Sequence, residues 1–357
     1  MEENKQHKTA LPETEPIPSA QAPEALLDIR GLRVEYHTDE DVVYAVNGLD
    51  LTIGKGESLG LVGETGAGNT TTALSVLRLI ADPPGKIMGG EIWFEGEDML
   101  QAKPARLREI RGSKISVIFQ DPMTSLNPVY SVGDQIAEVI HQHEKCSKEE
   151  GRRKAGDMLE MVGIPRARYD EYPHQFSGGM KQRVVIAMSI ACSPELILAD
   201  EPTTALDVTI QAQVLELMNE LKEKLRTSLL LITHDLGVVA QVCDRVAIMY
   251  AGEIVESGTI AEVFDHPHHP YTIGLFGSIP SLDETAEKLK PIQGQMPDPT
   301  ELPEGCAFAP RCPYATGACR TRKPEMTGVG GTQMVRCLAH QGVFESPELM
   351  EEVRHGR

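Results

Sequence analysis

The sequence has no apolar run that approaches the roughly 18 residues a helix needs to cross a bilayer. Even the apolar stretch at 229–232 is bounded by Ser and Thr. Basic residues are scarce and unclustered, with 34 Lys and Arg against 53 Asp and Glu and a net charge of -19. The missing apolar run predicts that no segment of the sequence spans a membrane. Because an acidic surface repels a polyanionic backbone, the charge balance predicts no nucleic-acid partner.

The N-terminal residues lack the basic and then apolar profile of a secretory signal, and they are rich in Glu, Pro, Gln and Ala. This composition predicts a disordered tail over residues 1–25 and a cytosolic location. The regular framework of a secreted disulfide scaffold is also missing. Seven cysteines is an odd number, and Cys146, Cys192 and Cys243 are scattered singly along the chain.

What the sequence does contain is an alternation of short β-branched runs and longer helical stretches from residue 26 to residue 276. This alternation predicts one α/β domain in which helices cover a sheet. A more polar, mostly helical section at about 122–175 predicts an inserted helical subdomain. Pro, Gly and Cys dominate afterwards, which predicts a small Cys-rich extension over 277–345 and a frayed acidic tail over 346–357.

A glycine-rich stretch follows the strand predicted at Ser58–Val62 and has the layout of a phosphate-binding P-loop. Its glycines let backbone N–H groups converge on an anion, and the next helix adds the positive end of its dipole. Thr70 stands where a Mg²⁺-ligating hydroxyl belongs. The candidate nucleotide-binding residues are Gly63, Glu64, Thr65, Gly66, Ala67, Gly68, Asn69, Thr70 and Thr71.

Asn69 is the departure from the P-loop pattern, because it replaces the lysine whose ammonium reaches the outer phosphates. An Asn amide donates hydrogen bonds but carries no charge, and a charge-assisted bond is worth about 1.5 to 3 kcal/mol against about 1 for a neutral one. The substitution predicts weaker ATP binding or slower turnover at this loop. Considered alone, the stretch is also compatible with a simple glycine-rich turn.

Two carboxylates, Asp200 and Glu201, end the apolar strand predicted at 196–199. This arrangement suits a Mg²⁺ shell held by the first carboxylate and an attacking water polarised by the second. A solvated turn is the alternative interpretation of such a pair in isolation.

The stretch Ser177-Gly178-Gly179-Met180-Lys181-Gln182 precedes a helix predicted at 183–192, so its amides would lie at a helix N-terminus able to bind phosphate. The alternative is an ordinary Ser-capped helix. This stretch matches the signature of ABC ATPases, and it lies shortly before the strand that ends in the two carboxylates. The chain therefore resembles an ABC ATPase. The resemblance implies an α/β, ABC-type P-loop ATPase domain with a RecA-like core, an antiparallel β subdomain and a helical subdomain.

Further matches to the family follow in the expected order along the chain. Gln120 resembles the Q-loop glutamine, which links Mg²⁺ and water to the membrane subunits. Asp207, in the stretch 205–207, resembles the D-loop aspartate that communicates across a dimer. His234 resembles the switch histidine that contacts the terminal phosphate. The resemblance thus implies Glu201, His234 and Gln120 as catalytic residues and Thr70, Gln120 and Asp200 as Mg²⁺ ligands.

The family also places an aromatic side chain on the adenine ring, and Tyr36 is its best match here. Tyr36 has a competing interpretation as a core strand residue, and Tyr44 is a rival because 37–41 resembles an insertion.

ABC nucleotide-binding domains pair head to tail, so that each ATP lies between the P-loop of one chain and the signature of the other. The resemblance therefore implies that the signature residues here act on a partner's nucleotide. Because Asn69 impairs only the site that uses this P-loop, a heterodimer with a second ABC ATPase is the expected assembly. The residues predicted to act on the partner's nucleotide are Ser177, Gly178, Gly179 and Gln182.

His269-Pro270-Tyr271-Thr272 and the cysteine-bearing segment after it resemble the C-terminal extension of oligopeptide and dipeptide permease ATPases, and the likeness covers residues 26 to about 340. Four cysteines lie in this segment, separated by five, six and seventeen residues. Four thiolates can hold a 4Fe-4S cluster or Zn²⁺, and the close paired spacing usual for zinc is absent, so the cluster is the first expectation and zinc the second. Disulfides are disfavoured by a reducing cytosol. The cysteines are Cys306, Cys312, Cys319 and Cys337.

The resemblance implies an ATP-hydrolysing, Mg²⁺-dependent subunit of a peptide importer, peripheral to the cytoplasmic side of the cell membrane. Its expected partners are a second ABC ATPase, two transmembrane permeases and, indirectly, an extracytoplasmic peptide-binding protein. One alternative is a nucleotide-gated structural subunit whose partner performs most of the hydrolysis. Another is an importer ATPase for nickel or a different solute. A role in repair or translation is disfavoured, because the sequence shows no coiled-coil insertion, second motor domain or basic surface.

Overall fold

The computed structural model of this chain describes residues 25–120, 122–204, 206–278 and 291–355. The tail predicted for residues 1–25 therefore lies outside the described residues except for its last position, and so does Ala205 of the predicted D-loop. Within the described ranges, none of the helices has both the length and the apolar character that crossing a bilayer requires.

Twelve strands in the described residues form two sheets. In chain order the strands are β1 (Ala25–His37), β2 (Val42–Gly54), β3 (Ser58–Val62), β4 (Gly85–Phe94), β5 (Glu97–Asp98), β6 (Ile115–Ile118), β7 (Leu196–Asp200), β8 (Ser228–Ile232), β9 (Arg245–Tyr250), β10 (Glu253–Thr259), β11 (Thr327–Gly330) and β12 (Gln333–Val335).

Twelve α-helices accompany these strands in the described part of the chain. They are α1 (Asn69–Val76), α2 (Pro104–Ile110), α3 (Pro122–Ser125), α4 (Val132–His143), α5 (Lys148–Met161), α6 (Gly178–Ile190), α7 (Val208–Leu225), α8 (Leu236–Val242), α9 (Ile260–Asp265), α10 (Pro270–Gly277), α11 (Gly317–Thr321) and α12 (Pro347–His355). Short 3-10 helices lie at Arg166–Arg168, Pro173–Gln175 and Leu338–Gln341.

The larger sheet has the strand order β11-β12-β10-β9-β3-β8-β7-β6, and the five strands from β9 to the edge strand β6 run parallel. Strands β3, β7 and β8 are buried along their whole length, which explains why they appear in the sequence as continuous apolar runs. Consecutive residues point to opposite faces: Leu230 joins one core cluster and Leu231 the other. Because the strands from β9 to β6 run in the same direction, their carboxyl ends lie at one common edge of the sheet.

The smaller sheet, with order β2-β1-β4-β5, is antiparallel and packs over one face of the larger sheet. Its buried residues, among them Leu27 and Ile53, share a core cluster with Leu59 and Leu61 of β3 and with α1. The section at 122–175 carries α3, α4 and α5, as its polar helical pattern predicts. Helices α4 and α5 both begin at capping serines, Ser131 and Ser147, whose hydroxyls accept a hydrogen bond from the first turn.

Residues 291–355, called here the C-terminal segment, lie against the large sheet and extend it. Strand β12 pairs antiparallel with β10, and β11 pairs with β12. The frayed tail predicted from residue 346 is wrong over 347–355, because this stretch forms α12. Leu349 and Val353, four residues apart, are buried on one face of that helix, and burial of this apolar face stabilises it.

Candidate nucleotide-binding site

The loop between β3 and α1, residues 63–68, is closely packed on its neighbours. Gly66 and Gly68 have φ values of +88° and +105°, which residues other than glycine rarely adopt. A Cβ atom at Gly68 would clash with the carbonyl oxygen of Ala45, and one at Gly63 would clash with that of Met249. The glycines are therefore required for the path of the backbone, and the loop leads directly into the N-terminus of α1 as a P-loop does.

Asn69 is the first residue of α1, and its side chain folds back on the loop. Its amide nitrogen donates weakly to the carbonyl oxygen of Gly63 at 3.4 Å. Its Oδ1 atom is buried and has no hydrogen-bond partner among the described residues. The loop thus receives a neutral amide at the position where a P-loop lysine would supply a positive charge.

Glu201 is the centre of a hydrogen-bonded group at the carboxyl ends of three adjacent parallel strands. Gln120 follows β6 and donates from Nε2 to one carboxylate oxygen at 2.9 Å, and Thr204 donates to the same oxygen at 2.9 Å. His234 follows β8, and its Nδ1 lies 3.0 Å from the other oxygen. Both carboxylate oxygens are therefore held, as expected where side chains converge at one edge of a parallel sheet.

The backbone at Glu201 is strained. Its φ of +46° lies in the left-handed region, which costs a residue with a side chain about 1 kcal/mol or more. A hydrogen bond of 2.8 Å from its amide to the carbonyl oxygen of Ile232 holds this conformation. Such strain persists where the surrounding structure fixes a functional side chain.

The two adjacent carboxyl groups differ in their pKa values. Burial raises the pKa of Asp200, and the charge of Glu201 adds to this, while a hydrogen bond with Thr70 opposes it. For Glu201, burial acts in the same upward direction, but hydrogen bonds from His234, Thr204 and Gln120 outweigh it and lower the pKa. Glu201 is thus ionised at neutral pH, as a base for water must be. The Asp200 carboxylate beside the Thr70 hydroxyl is an all-oxygen donor set of the kind Mg²⁺ prefers.

Tyr36, the predicted adenine-stacking residue, lies beside the first turn of α1. Its hydroxyl is 3.2 Å from Oγ1 of Thr71, which places the ring next to the P-loop. Tyr44, the rival, is 38% exposed, and its backbone amide donates to the carbonyl oxygen of Pro299 at 2.8 Å.

The signature residues lie at the start of α6, which begins at Gly178 rather than at the predicted residue 183. Ser177 is the exposed N-cap residue, and its hydroxyl does not cap the helix, so it is available to a ligand. Gly179 packs so closely on Ile210 that a Cβ atom there would clash with its side chain. Gln182 is 0% exposed, so its predicted contact with a partner's nucleotide is not supported by the structure.

Asp207 is the N-cap residue of α7, and its carboxylate accepts a hydrogen bond from the amide of Ile210 at 3.0 Å. Helix capping is by itself a sufficient reason for an Asp at position 207, and it requires no contact across a dimer. Its role in communication between two chains stays a prediction.

Four cysteines of the C-terminal segment line one cavity, whose walls also include Phe308 and Leu349. All four thiols are free, and burial raises the pKa of Cys312 to about 12 and that of Cys337 to about 11. In the described ranges, however, no group of three or more His, Cys, Asp or Glu side chains is arranged to hold a metal ion. The predicted 4Fe-4S or zinc site is therefore not supported by this geometry. The four cysteines are Cys306, Cys312, Cys319 and Cys337.

Two residues that contact the candidate site, Thr204 and Arg311, are not among those identified from the sequence. Thr204 lies three residues after Glu201, and that local spacing was the available signal for it. Arg311 contacts the P-loop residue Glu64 across 247 positions, with Nη1 at 3.1 and 3.0 Å from the two carboxylate oxygens. No local pattern in the sequence indicates such a contact.

Comparison with known families agrees with this geometry. Residues 46–204 match the family described as ABC transporter, and residues 255–319 match the family described as oligopeptide/dipeptide transporter, C-terminal region. The first match contains the P-loop, the signature and both strand-end carboxylates. The second begins in β10 and extends through three of the four clustered cysteines.

Curated relatives resemble the chain over most of its length. The oligopeptide transport ATP-binding protein OppD of Bacillus subtilis is 50% identical over 332 residues, which is 91% of this chain and 93% of the relative. AppD of the same organism, also an oligopeptide transport ATP-binding protein, is 48% identical over 318 residues, 88% of this chain and 97% of the relative. The dipeptide transport ATP-binding protein DppD of B. subtilis is 48% identical over 316 residues, 88% of this chain and 94% of the relative.

Solved structures share the fold of the ATPase part. A dimeric structure of the ATP-binding cassette MJ0796, in a post-hydrolysis state with ADP and Pi, superposes with a TM-score of 0.59 and 27% identity over 66% of this chain and 98% of that chain. The cbiO1 protein of Clostridium perfringens gives a TM-score of 0.58 and 27% identity over 67% of this chain and 90% of that chain.

These matches, on top of the P-loop, signature and strand-end carboxylates, place the chain in the ABC transporter family of ATP-binding proteins, and it is an ATPase of that class. Within the class, it is of the type that carries an oligopeptide/dipeptide transporter C-terminal region. Both assignments confirm the resemblance inferred from the sequence.

Proposed function

We propose that this chain binds and hydrolyses ATP to energise an ABC importer for oligopeptides or dipeptides. The observation that carries the proposal is the pairing of an ABC transporter match with an oligopeptide/dipeptide transporter C-terminal region in one chain. Relatives that are nearly half identical over about nine tenths of the chain carry peptide transport in their names. Because cargo is selected by other subunits, the peptide assignment rests on this likeness and not on the ATP site.

We assign the hydrolytic chemistry to Glu201. Its ionised carboxylate orients the attacking water and accepts its proton, and Gln120 and His234 hold that carboxylate in position. Thr70 and Asp200 would hold Mg²⁺, and the ion would supply neutralisation of charge on the phosphates. The P-loop amides and the N-terminus of α1 bind the phosphates, and Tyr36 stacks on adenine.

The assembly that fits these residues is a head-to-tail pair with a second ABC ATPase. The exposed Ser177 hydroxyl and the amides of Gly178 and Gly179 complete the partner's site, whereas Asn69 weakens the site that uses this chain's own P-loop. A heterodimer tolerates one weak site better than a homodimer does. The pair docks on two transmembrane permeases at the cytoplasmic face of the membrane, and an extracytoplasmic binding protein delivers the peptide.

Peptide uptake by cells that lack this chain tests the proposal. Labelled di- to pentapeptides should no longer accumulate, and the wild-type chain should restore uptake. Glu216→Gln, which alters an exposed carboxylate on α7, should restore it as well and serves as the control. Uptake that is unaffected by deletion sinks the peptide assignment. Loss of nickel uptake with intact peptide uptake would support the metal-importer alternative.

A second candidate function is favoured by Asn69: a nucleotide-gated subunit that closes the dimer on ATP while its partner performs most of the hydrolysis. In the assembled complex, Glu201→Gln would then leave total ATP turnover almost unchanged. A large drop in turnover of the complex would instead show that this chain's own site works.

For the cysteine-lined cavity we propose that the four thiols share one ligand, with a 4Fe-4S cluster first and zinc second. Their co-location supports the proposal, although the thiols are not arranged as metal ligands in the structure. The role would be structural, since the segment has little apolar core of its own. Purified protein that contains neither iron and sulfide nor zinc rejects both ligands.

A further inference from the structure

The C-terminal segment contacts the P-loop at two points and the neighbouring strand β2 at a third. The methyl group of Met296 lies 3.2 Å from where a Cβ atom on Gly66 would be. The carbonyl oxygen of Pro299 accepts the Tyr44 amide of β2 at 2.8 Å. Arg311 reaches Glu64 inside the loop. These contacts join residues more than 200 positions apart in the sequence, so the surroundings of the loop depend on a distant part of the chain.

Arg311 is the most firmly fixed of these contacts. Its side chain is only 6% exposed, and its Nη1 atom donates to both carboxylate oxygens of Glu64. Its Nε atom donates to the carbonyl oxygen of Gln293 at 3.1 Å, and its guanidinium lies 5.8 Å from the ring of Tyr250. A buried guanidinium held on several sides has one geometry, so it fixes the carboxylate it binds.

Glu64 is also held through its backbone. Its amide donates to the hydroxyl of Tyr271 at 3.2 Å. Tyr271 packs against Tyr250 and Phe308, with ring centroids 4.7 and 5.5 Å away. Since Phe308 belongs to the C-terminal segment, both the side chain and the amide of Glu64 are connected to that segment.

The contact between Arg311 and Glu64 matters because of the charges in the P-loop. Residues 63–71 contain one carboxylate, that of Glu64, and no Lys, Arg or His. A triphosphate therefore approaches a loop whose own side chains carry a net negative charge, because Asn69 supplies no compensating cation. Arg311 pairs with this carboxylate and offsets its charge, with the guanidinium buried and the Glu64 side chain 32% exposed.

We propose that Arg311 is a positioning residue for nucleotide binding, which neutralises and fixes Glu64 so that the P-loop accepts the phosphates of Mg-ATP. The inference rests on nucleotide binding at this chain's own P-loop, which is part of the proposed function. It makes the C-terminal segment a determinant of ATP affinity, a role that the Cys-rich composition of the segment does not suggest.

Arg311→Ala in the full-length chain tests this role, with binding of Mg²⁺ and a fluorescent ATP analogue as the readout. We expect a loss of affinity of about tenfold, in the range of a close charge pair. The KM for ATP should rise while kcat at saturating ATP stays within about twofold, because Arg311 acts on binding and not on the reacting atoms. Arg311→Lys, which keeps the charge, should recover most of the affinity.

Arg336→Ala is the matched control, because Arg336 ties the same segment to the carbonyl oxygen of Ile254 in β10, away from the P-loop. It should leave ATP affinity unchanged. In a Glu64→Gln background, Arg311→Ala should cost less than about twofold, since the carboxylate it neutralises is gone. Thermal unfolding without nucleotide identifies variants that fail to fold. If Arg311→Ala is one of them, the ATP affinities of the Arg311→Lys and Glu64→Gln variants test the proposal instead.

Unaltered ATP affinity in a folded Arg311→Ala protein would overturn the proposal. An equal loss in the presence and absence of the Glu64 carboxylate would overturn it too, because Arg311 would then act independently of Glu64. Failure of the wild-type chain to bind Mg-ATP at all is a different result, which contradicts the proposed function itself.

Discussion

The strand-end side and the P-loop side of the candidate nucleotide site differ in how fully their polar side chains are hydrogen-bonded. At the strand ends, both oxygens of Glu201 are held by Gln120, Thr204 and His234. In the P-loop, Asn69 makes one long hydrogen bond and leaves a buried oxygen unpaired among the described residues. On the side proposed to activate water, both carboxylate oxygens are therefore held, whereas the side proposed to bind the triphosphate has an amide in place of the P-loop lysine.

Under the proposed function, this difference predicts that binding and hydrolysis depend on separable parts of the fold. The catalytic side is assembled within the parallel sheet, from residues that each follow a buried strand. The binding side depends on loop charge, and here its acidic residue is neutralised by Arg311 from the C-terminal segment. A substitution on one side should consequently alter kcat, and a substitution on the other should alter affinity.

The largest effect is expected from Glu201→Gln. Loss of a general base lowers the rate by roughly 100-fold or more, while Mg-ATP binding should change little because the phosphate contacts remain. Steady-state hydrolysis and ATP binding by the purified chain without its companion measure the two quantities. Glu216→Gln is the control. A comparable fall in affinity and in kcat would show that the two sides are not separable.

A smaller effect of opposite sign is expected from Asn69→Lys. The restored ammonium replaces a neutral hydrogen bond with a charge-assisted one, which should strengthen Mg-ATP binding by about five- to thirtyfold. Titration with a fluorescent ATP analogue gives the affinity. Asn69→Gln lengthens the side chain without adding charge and should not reproduce the gain. If Lys brings no gain, the missing charge is not what limits this loop.

The smallest effect concerns stability. Because burial raises the folded-state pKa of Asp200 above its unfolded value, the unfolded chain ionises first, and stability falls as pH rises between the two pKa values. At neutral pH, Asp200→Asn removes this penalty and should raise the melting temperature by roughly 2 °C or more in the presence of a chelator. The measurement is thermal unfolding at pH 7.

Asp235→Asn is the comparison variant, since Asp235 caps α8 and Asn caps equally well. It should leave the melting temperature unchanged. A lower melting temperature for Asp200→Asn would mean that the bond with Thr70 outweighs the burial of the charge.

The convergence of Gln120, Glu201 and His234 could be predicted from the sequence because it follows from local pattern, whereas their catalytic roles stay a prediction. Gln120, Glu201 and His234 each come after a short apolar run, and parallel strands end at a common edge. The family and the ATPase activity, both confirmed by the comparisons, follow from the same motifs. The P-loop could be recognised despite Asn69, because its glycines are needed for the backbone path.

What could not be predicted depends on contacts between distant segments. The pair of Arg311 and Glu64 joins two charged residues that are far apart in the sequence, and nothing local indicates that Arg311 is buried beside the P-loop. Gln182 belongs to the signature, yet packing conceals its side chain completely. The helix α12 forms in a stretch whose acidic composition predicts a frayed end. It is stabilised because Leu349 and Val353 are buried against other parts of the fold.

The pairing of β12 with β10 has a consequence for how the protein behaves when shortened. Glu256 and Ser257 of β10 are opposite Val335 and Met334, and the buried carboxylate of Glu256 accepts a hydrogen bond from Gln333. Trimming the chain after the ATPase part would leave β10 as an open edge strand with unpaired amides and carbonyls, and Glu256 would lose its hydrogen bond from Gln333 while keeping those from the amides of His268 and His269. An exposed edge strand can pair with a strand of a neighbouring molecule, so we expect a truncated protein to aggregate more readily than the full chain.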